Sequence, residues 1–126
     1  KPGFEITQGV VVNITDDVEE GLIPVKQMLG LYVGGMGAKT FNVHKDHVSR
    51  MGFAVEADKI QELFLSGHRD EAIAAVPDEL VDEISLCGPK ERIRERLEVW
   101  KESPVTMLNV GSADADTLRF LAEELL

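Results

Sequence analysis

ISLCGPKERIRERLEVWKESPVTMLNV, residues Ile84 to Val110, reads as a strand, a turn, a helix and a returning strand. The apolar run Ile84, Leu86 and Cys87 ends at Gly88-Pro89, and the charged segment after it carries Ile93, Leu97 and Trp100 on one face at helical spacing. Ser103-Pro104 stops that helix, and Val105 to Val110 resumes as a β-rich apolar run. A strand, a crossover helix and a second strand predict a βαβ unit whose strands lie parallel and next to each other.

Upstream, Phe4 to Thr15 is the first strand candidate, and its unbroken Val10-Val11-Val12 suits a strand covered on both faces. Asp16 with Glu19 has capping-box spacing, so a helix is expected from about Asp17. Val18, Leu22, Val25, Leu29 and Tyr32 continue it at steps of four and three, with Pro24 expected to kink or break it. Gly34-Gly35 is read as its end, through a left-handed C-cap.

Residues 38–83 read as a helical insertion without a strand. Phe53 to Ser66 is amphipathic, anchored by Ile60, Leu63 and Phe64 and stopped by Gly67. Asp70 to Val76 and Pro77 to Ile84 make two shorter helical pieces. At the other end, Gly111-Ser112 predicts a turn, Asp114 an N-cap or first-turn charge, and Leu118, Leu121 and Leu125 a stripe facing one way on a last helix.

Charge and composition narrow the partners. Thirteen basic against 23 acidic residues give a formal net charge of −10 over 126 residues, which argues against nucleic acid and anionic membrane. Lys26 and Gln27 interrupt the best apolar run, and no signal-peptide pattern is present. Cys87 is the single cysteine, so no intrachain disulfide forms and a reducing, cytoplasmic setting is the natural reading. Its place in a core strand marks it as a small buried hydrophobe.

Two features carry chemistry. Gly34-Gly35-Met36-Gly37-Ala38 has three glycines in four positions, which fits either a helix stop with a turn or backbone that approaches a ligand and cradles an anion. It lacks the phosphate-loop and dinucleotide fingerprints. Between Lys39 and Arg50 a local positive excess, Lys39, Lys45 and Arg50 against Asp46, fits either contact with an anionic cofactor or substrate group, or a solvated helix face. His44 and His47 share a helix face, but no third ligand stands at metal-site spacing.

The order βα, helical insertion, βα, βα predicts a parallel sheet, and three such strands leave both edges open. A (β/α)8 barrel needs about 250 residues, so this chain is read as its last three units. The parts are a first βα unit at 1–37, the insertion at 38–83 and the last two βα units at 84–126. The chain begins at Lys1 with a strand almost at once, which fits a fragment of something longer, its missing strands supplied by a preceding segment or a second copy.

YVGGMGA (Tyr32 to Ala38), Phe41-Asn42, AVPDELVDEISLCGPKERIRERL (Ala75 to Leu97) and TMLNV (Thr106 to Val110) together resemble the C-terminal part of luciferase-like monooxygenases, closest to the coenzyme F420-dependent oxidoreductases. The resemblance runs from Phe4 to Leu126. It implies a TIM-like barrel with a helical insertion before the seventh strand, binding F420, or alternatively FMN, for hydride transfer to or from a small-molecule substrate. Most of the cofactor cradle would then lie in the first five strands, outside this chain, and the isolated segment would not catalyse. No catalytic residue transfers from the family. Thr15 to Asp17, Cys87 to Lys90 and Val110 to Ser112 would stand at the active-site face.

From the chemistry of the residues, Gly35, Met36, Gly37, Phe41 and His44 are candidates to line the cofactor pocket, with Lys39 or Lys45 placed for an anionic group. A second reading is a non-enzymatic remnant that forms a homo-oligomer through its open sheet edge. A third is a small anion-binding domain centred on the glycine loop.

Overall fold

The structure is a computed structural model that describes residues 3–111 and 114–126. Ser112, expected in a turn at the active-site face, lies outside the described residues. The chain forms two compact units, Lys1–Gly21 with Ile84–Leu126, and Leu22–Glu83.

In the first unit, strand β1 (Thr7–Ile14) leads into helix α1 (Val18–Gly35), which continues into the second unit. The first unit resumes with β2 (Ser85–Gly88), α6 (Lys90–Lys101), β3 (Met107–Val110) and α7 (Ala115–Leu125). Between them lie α2 (Val43–Val48), α3 (Ala54–Leu65), α4 (Arg69–Ala74) and α5 (Asp78–Ile84). A wide turn over Ser49–Phe53 joins α2 to α3, with Gly52 at φ 103°.

All strand pairs are parallel, in the order β2-β1-β3. The two strands of the Ile84 to Val110 unit are therefore not the neighbours that their sequence predicts, because β1 lies between them. Its eight residues divide the work. Val11 to Ile14 pair with Ser85 to Gly88, and Thr7 to Val10 pair with Met107 to Val110. Thr106 reinforces the second ladder: its hydroxyl accepts from the Ile6 amide at 2.8 Å, and its own amide donates to the Ile6 carbonyl at 2.9 Å.

The core of this unit joins Val10, Leu86, Ile93, Leu97, Phe120 and Leu121, flanked by Val12, Ile14, Trp100, Leu108 and Val110. The α6 stripe read from sequence, Ile93, Leu97 and Trp100, is thus its inner face. Phe120 also lies under two α6 cations, with Lys90 Nζ at 5.3 Å and the Arg94 guanidinium at 5.2 Å from its ring centre. Arg94 Nε donates to Glu124 at 2.6 Å, and that bond raises the Arg94 pKa.

β1 departs from its expected two-sided cover. Val10 is buried but Val11 is exposed, so apolar sequence alone overstated the packing on its second face. β2 is the strand buried throughout, Cys87 included, and the Cys87 thiol lies 3.5 Å from the Ser85 hydroxyl.

The starts of α1 and α7 carry side-chain caps. Asp17, not Asp16, caps α1, its carboxylate accepting from the Glu20 amide at 3.1 Å while Thr15 Oγ1 accepts from the Asp17 amide at 3.2 Å. Pro24 lies inside α1 without dividing it. Asp114 caps α7 by accepting from the Thr117 amide at 2.7 Å, which holds its carboxyl below the usual carboxylate range.

Leu97 is fully buried and Val99 is 71% exposed on the same helix. Urea denaturation of Leu97→Ala is expected to show a loss of about 2–5 kcal/mol. Val99→Ala should stay within roughly 0.5 kcal/mol of the parent.

Candidate functional site

The second unit builds its candidate site at the joint between α1 and α2, and Asn42 is the fastening. It is buried, and its Nδ2 donates to the carbonyls of Tyr32 at 3.1 Å and Val33 at 2.9 Å. Its Oδ1 accepts from the Lys45 amide at 3.0 Å. One side chain therefore satisfies carbonyls at the end of α1 and an amide at the start of α2, groups that a helix cannot pair internally. The intervening loop is closed by an Ala38–Phe41 bridge, with the Phe41 amide donating to the Ala38 carbonyl at 3.0 Å.

The glycines serve close packing here. None of Gly34, Gly35 and Gly37 has positive φ, so the expected left-handed C-cap does not form. A Cβ on Gly34 would come within 2.5 Å of Phe64 Cβ, and one on Gly35 would run into the same ring. A Cβ on Gly37 would lie 2.6 Å from the Phe41 carbonyl oxygen and 2.9 Å from Asn42 Cα. The first two let Phe64 of α3 lie against α1, and the third lets the loop fold onto Asn42.

The other candidates take different positions. Met36 and Phe41 stand out from the loop, Phe41 being 70% exposed, and Val43 is exposed beside them. The His44 ring packs against Tyr32, with centres 4.7 Å apart and planes tilted by 43°. Arg50 Nε donates to the Asp46 carbonyl at 3.3 Å. Arg50 and the two histidines of the positive patch are not among the residues that line a groove with Lys39 and Lys45. Among the described residues no group of three His, Cys, Asp or Glu side chains is arranged to hold a metal.

What the structure does bring together is Lys39 and Lys45. Both line a groove of about 580 Å³ with Asp58, Gln61, Glu62 and Leu65. Lys45 Nζ lies 2.8 Å from Asp58 Oδ1 and donates to Gln61 Oε1 at 2.8 Å. Gln61 is 4% exposed, and its Nε2 has no hydrogen-bond partner among the described residues. Sequence reading missed both Asn42 and Gln61. Asn42 carried a usable signal, an N-cap residue directly before a helix. Gln61 carried none, because its role depends on Lys45 from another helix.

In the first unit, Ile14 pairs with Gly88 and the Thr15 amide donates to the Gly88 carbonyl at 3.0 Å, so Thr15 to Asp17 and Cys87 to Lys90 share one end of the sheet. Gly88 turns there at φ 122°, and Arg92 Nη1 donates to the Cys87 carbonyl at 2.7 Å. Val110 pairs with Val10, four residues short of that end, or roughly 13 Å at strand rise. It does not join the other two strand ends as expected. An apolar groove of about 460 Å³ runs beside β3 and α7, walled by Trp100, Met107, Leu108, Leu118 and Leu125.

The family model for luciferase-like monooxygenases matches residues 1–107, most of the sequence. The chain belongs to the luciferase-like monooxygenase family. It is 41% identical over 119 residues to a protein of Mycobacterium tuberculosis named as a coenzyme F420-dependent oxidoreductase, covering 94% of this chain and 34% of that protein. The fold also matches the coenzyme F420-dependent tetrahydromethanopterin reductase of Methanopyrus kandleri, with a TM-score of 0.65, 17% sequence identity, and coverage of 95% of this chain and 34% of that one. This luciferase-like chain thus spans about a third of the length of the relatives it matches. Its α/β fold, a small parallel sheet with a helical insertion, corresponds to part of a TIM-like barrel.

The glycine packing is open to a double-variant test. Gly34→Ala should cost about 1–3 kcal/mol in thermal or urea unfolding through overpacking on Phe64. In a Phe64→Ala background the same change should cost much less, the coupling marking direct contact.

Proposed function

We propose that this chain is the C-terminal barrel portion of an oxidoreductase that uses coenzyme F420, or alternatively FMN, for hydride transfer with a small-molecule substrate. The observation that carries the reading is the 41% identity, over 94% of the chain, to a protein named for F420 dependence. In this reading residues 1–37 and 84–126 are barrel units, and 38–83 is an insertion that lends side chains to the pocket. The remaining strands, supplied by a preceding portion of the protein, hold most of the cofactor. The segment alone is inactive.

The residues present fit such a group. Phe41 and Met36 offer exposed apolar surface suited to a planar ring, and Lys39 and Lys45 offer donors for an anionic group. Gly37 keeps the loop folded on Asn42, and Gly35 keeps α1 against Phe64, so both act by shaping the loop. His44 sits beside Lys45 on α2, its ring braced by Tyr32. When bound, the cofactor supplies the hydride chemistry, and the protein's part is orientation and exclusion of water. No nucleophile from this chain is required.

A second reading is favoured by the apolar groove beside β3. Two copies joining through that edge would cover it without any cofactor.

The test is a chimaera in which this chain replaces the matching segment of the mycobacterial relative. F420 and FMN binding are followed by fluorescence. The chimaera is expected to bind F420, with affinity falling roughly tenfold in Phe41→Ser, while the isolated chain does not bind. A folded chimaera that binds neither cofactor, together with a stable cofactor-free dimer of the isolated chain by light scattering, would favour the second reading.

A further inference from the structure

We infer that the apolar groove beside β3 is the seat of a further βα unit from a preceding portion of the same protein, its strand on the open edge of β3 and its helix on α7. This names the partner of the barrel portion proposed above; it rests on the barrel half of that reading and not on the cofactor.

α7 is apolar beyond its buried face. Thr117, Phe120 and Leu121 form that face. Leu118, Ala122 and Leu125 follow beside it at steps of four and three and line the groove, with Leu118 49% and Leu125 39% exposed. A stripe at that spacing is the surface one helix presents to a neighbouring helix. Ala122, small and in the middle, lets the second helix come close. The floor is β3, whose Leu108 and Val110 pack against the core of the unit, while its outer edge pairs with no strand among the described residues. That edge sets backbone donors and acceptors alongside the apolar stripe. A strand satisfies the first and a helix covers the second, which is how a βα unit adds to a parallel sheet.

Other occupants match these features poorly. A small molecule in a pocket of about 460 Å³ needs a few polar groups to orient it. The polar side chains on this wall are those of Lys101 and Thr106, and both are engaged. Lys101 Nζ lies 2.7 Å from Glu98 Oε1, and Thr106 Oγ1 accepts from the Ile6 amide at 2.8 Å. A second copy would bring another formal charge of −10 toward the first, so long-range repulsion opposes it. The relatives contain the length of chain required, since this chain spans about a third of each.

Trp100 is the single tryptophan and lines the groove, so a fluorine label on its ring reports occupancy. The whole 126-residue chain, labelled with fluorotryptophan, is titrated with the portion of the mycobacterial relative that precedes the matching segment, made as a separate unlabelled polypeptide. Fluorine NMR and light scattering follow the mixture. The expected result is a one-to-one complex in which the Trp100 resonance shifts and saturates. Leu118→Asp should weaken that complex roughly tenfold or more, while Val99→Asp, at an exposed position of α6 outside the groove, should not. Leu125→Asp is the second variant, used if Leu118→Asp lowers the unfolding temperature of the chain alone. No complex, a complex that leaves the Trp100 resonance unmoved, or one that both aspartate variants in the groove leave at parental affinity would overturn the inference. So would a homodimer of the chain alone that shifts the same resonance, because a second copy would then be the occupant. The cofactor reading fails separately: a complex with a shifted Trp100 resonance that binds neither F420 nor FMN would sink that reading and leave the docking in place.

Discussion

The two-sided pairing of β1 is the constraint on which the first unit depends. A strand of eight residues carries one parallel ladder on its C-terminal half and another on its N-terminal half, with the partners on opposite edges. Both partner strands have four residues, too few to form a lasting sheet with each other alone. Once β1 binds both, α6 can lay Ile93 and Leu97 against Leu86 and Val10, and α7 can add Phe120 and Leu121. The same arrangement sets what is left open. β2 and β3 are the sheet edges, and the apolar groove lies beside β3. A closed barrel sets consecutive strands side by side. The order seen here, with β1 between β2 and β3, departs from that arrangement.

In the second unit the corresponding role falls to a few close contacts. Two glycines admit the Phe64 ring to the surface of α1, and Asn42 ties the end of that helix to the beginning of the next. The loop between them is thereby held, while Met36 and Phe41 face outward. The Asn42 tie also places Lys45, one turn into α2, where its ammonium reaches Gln61 and Asp58 of α3. The contact between α2 and α3 at this groove is thus a consequence of how α2 is attached.

Much of this was legible in the chain. Helical spacing gave the inner face of α6, and Gly67 and Asp114 marked a stop and a start where the structure has them. On α7 it gave only Leu121: Leu118 and Leu125 are exposed, and the buried face is Thr117, Phe120 and Leu121. The motifs from Tyr32 to Ala38 and from Ala75 to Leu97 carried the family resemblance. Strand order was not legible, because a βαβ pattern reports direction and leaves the neighbour to be chosen by what else is available to pair. The cap at Asp17 was missed by one residue, since Asp16 and Asp17 offer the same chemistry and only the backbone distinguishes them. The glycines of the loop were read as conformational freedom; their use is space for Phe64, a partner nearly thirty positions away. Gln61 looked like any polar residue on an amphipathic helix. Its meaning appears only when Lys45 occupies one side of its amide.

The most direct test is a set of interstrand nuclear Overhauser effects in the intact chain. The account predicts backbone contacts that join Val10 to Val110 and Asn13 to Cys87, placing β1 between β2 and β3. Backbone contacts joining Leu86 directly to Leu108, without those from β1 to β3, would contradict it.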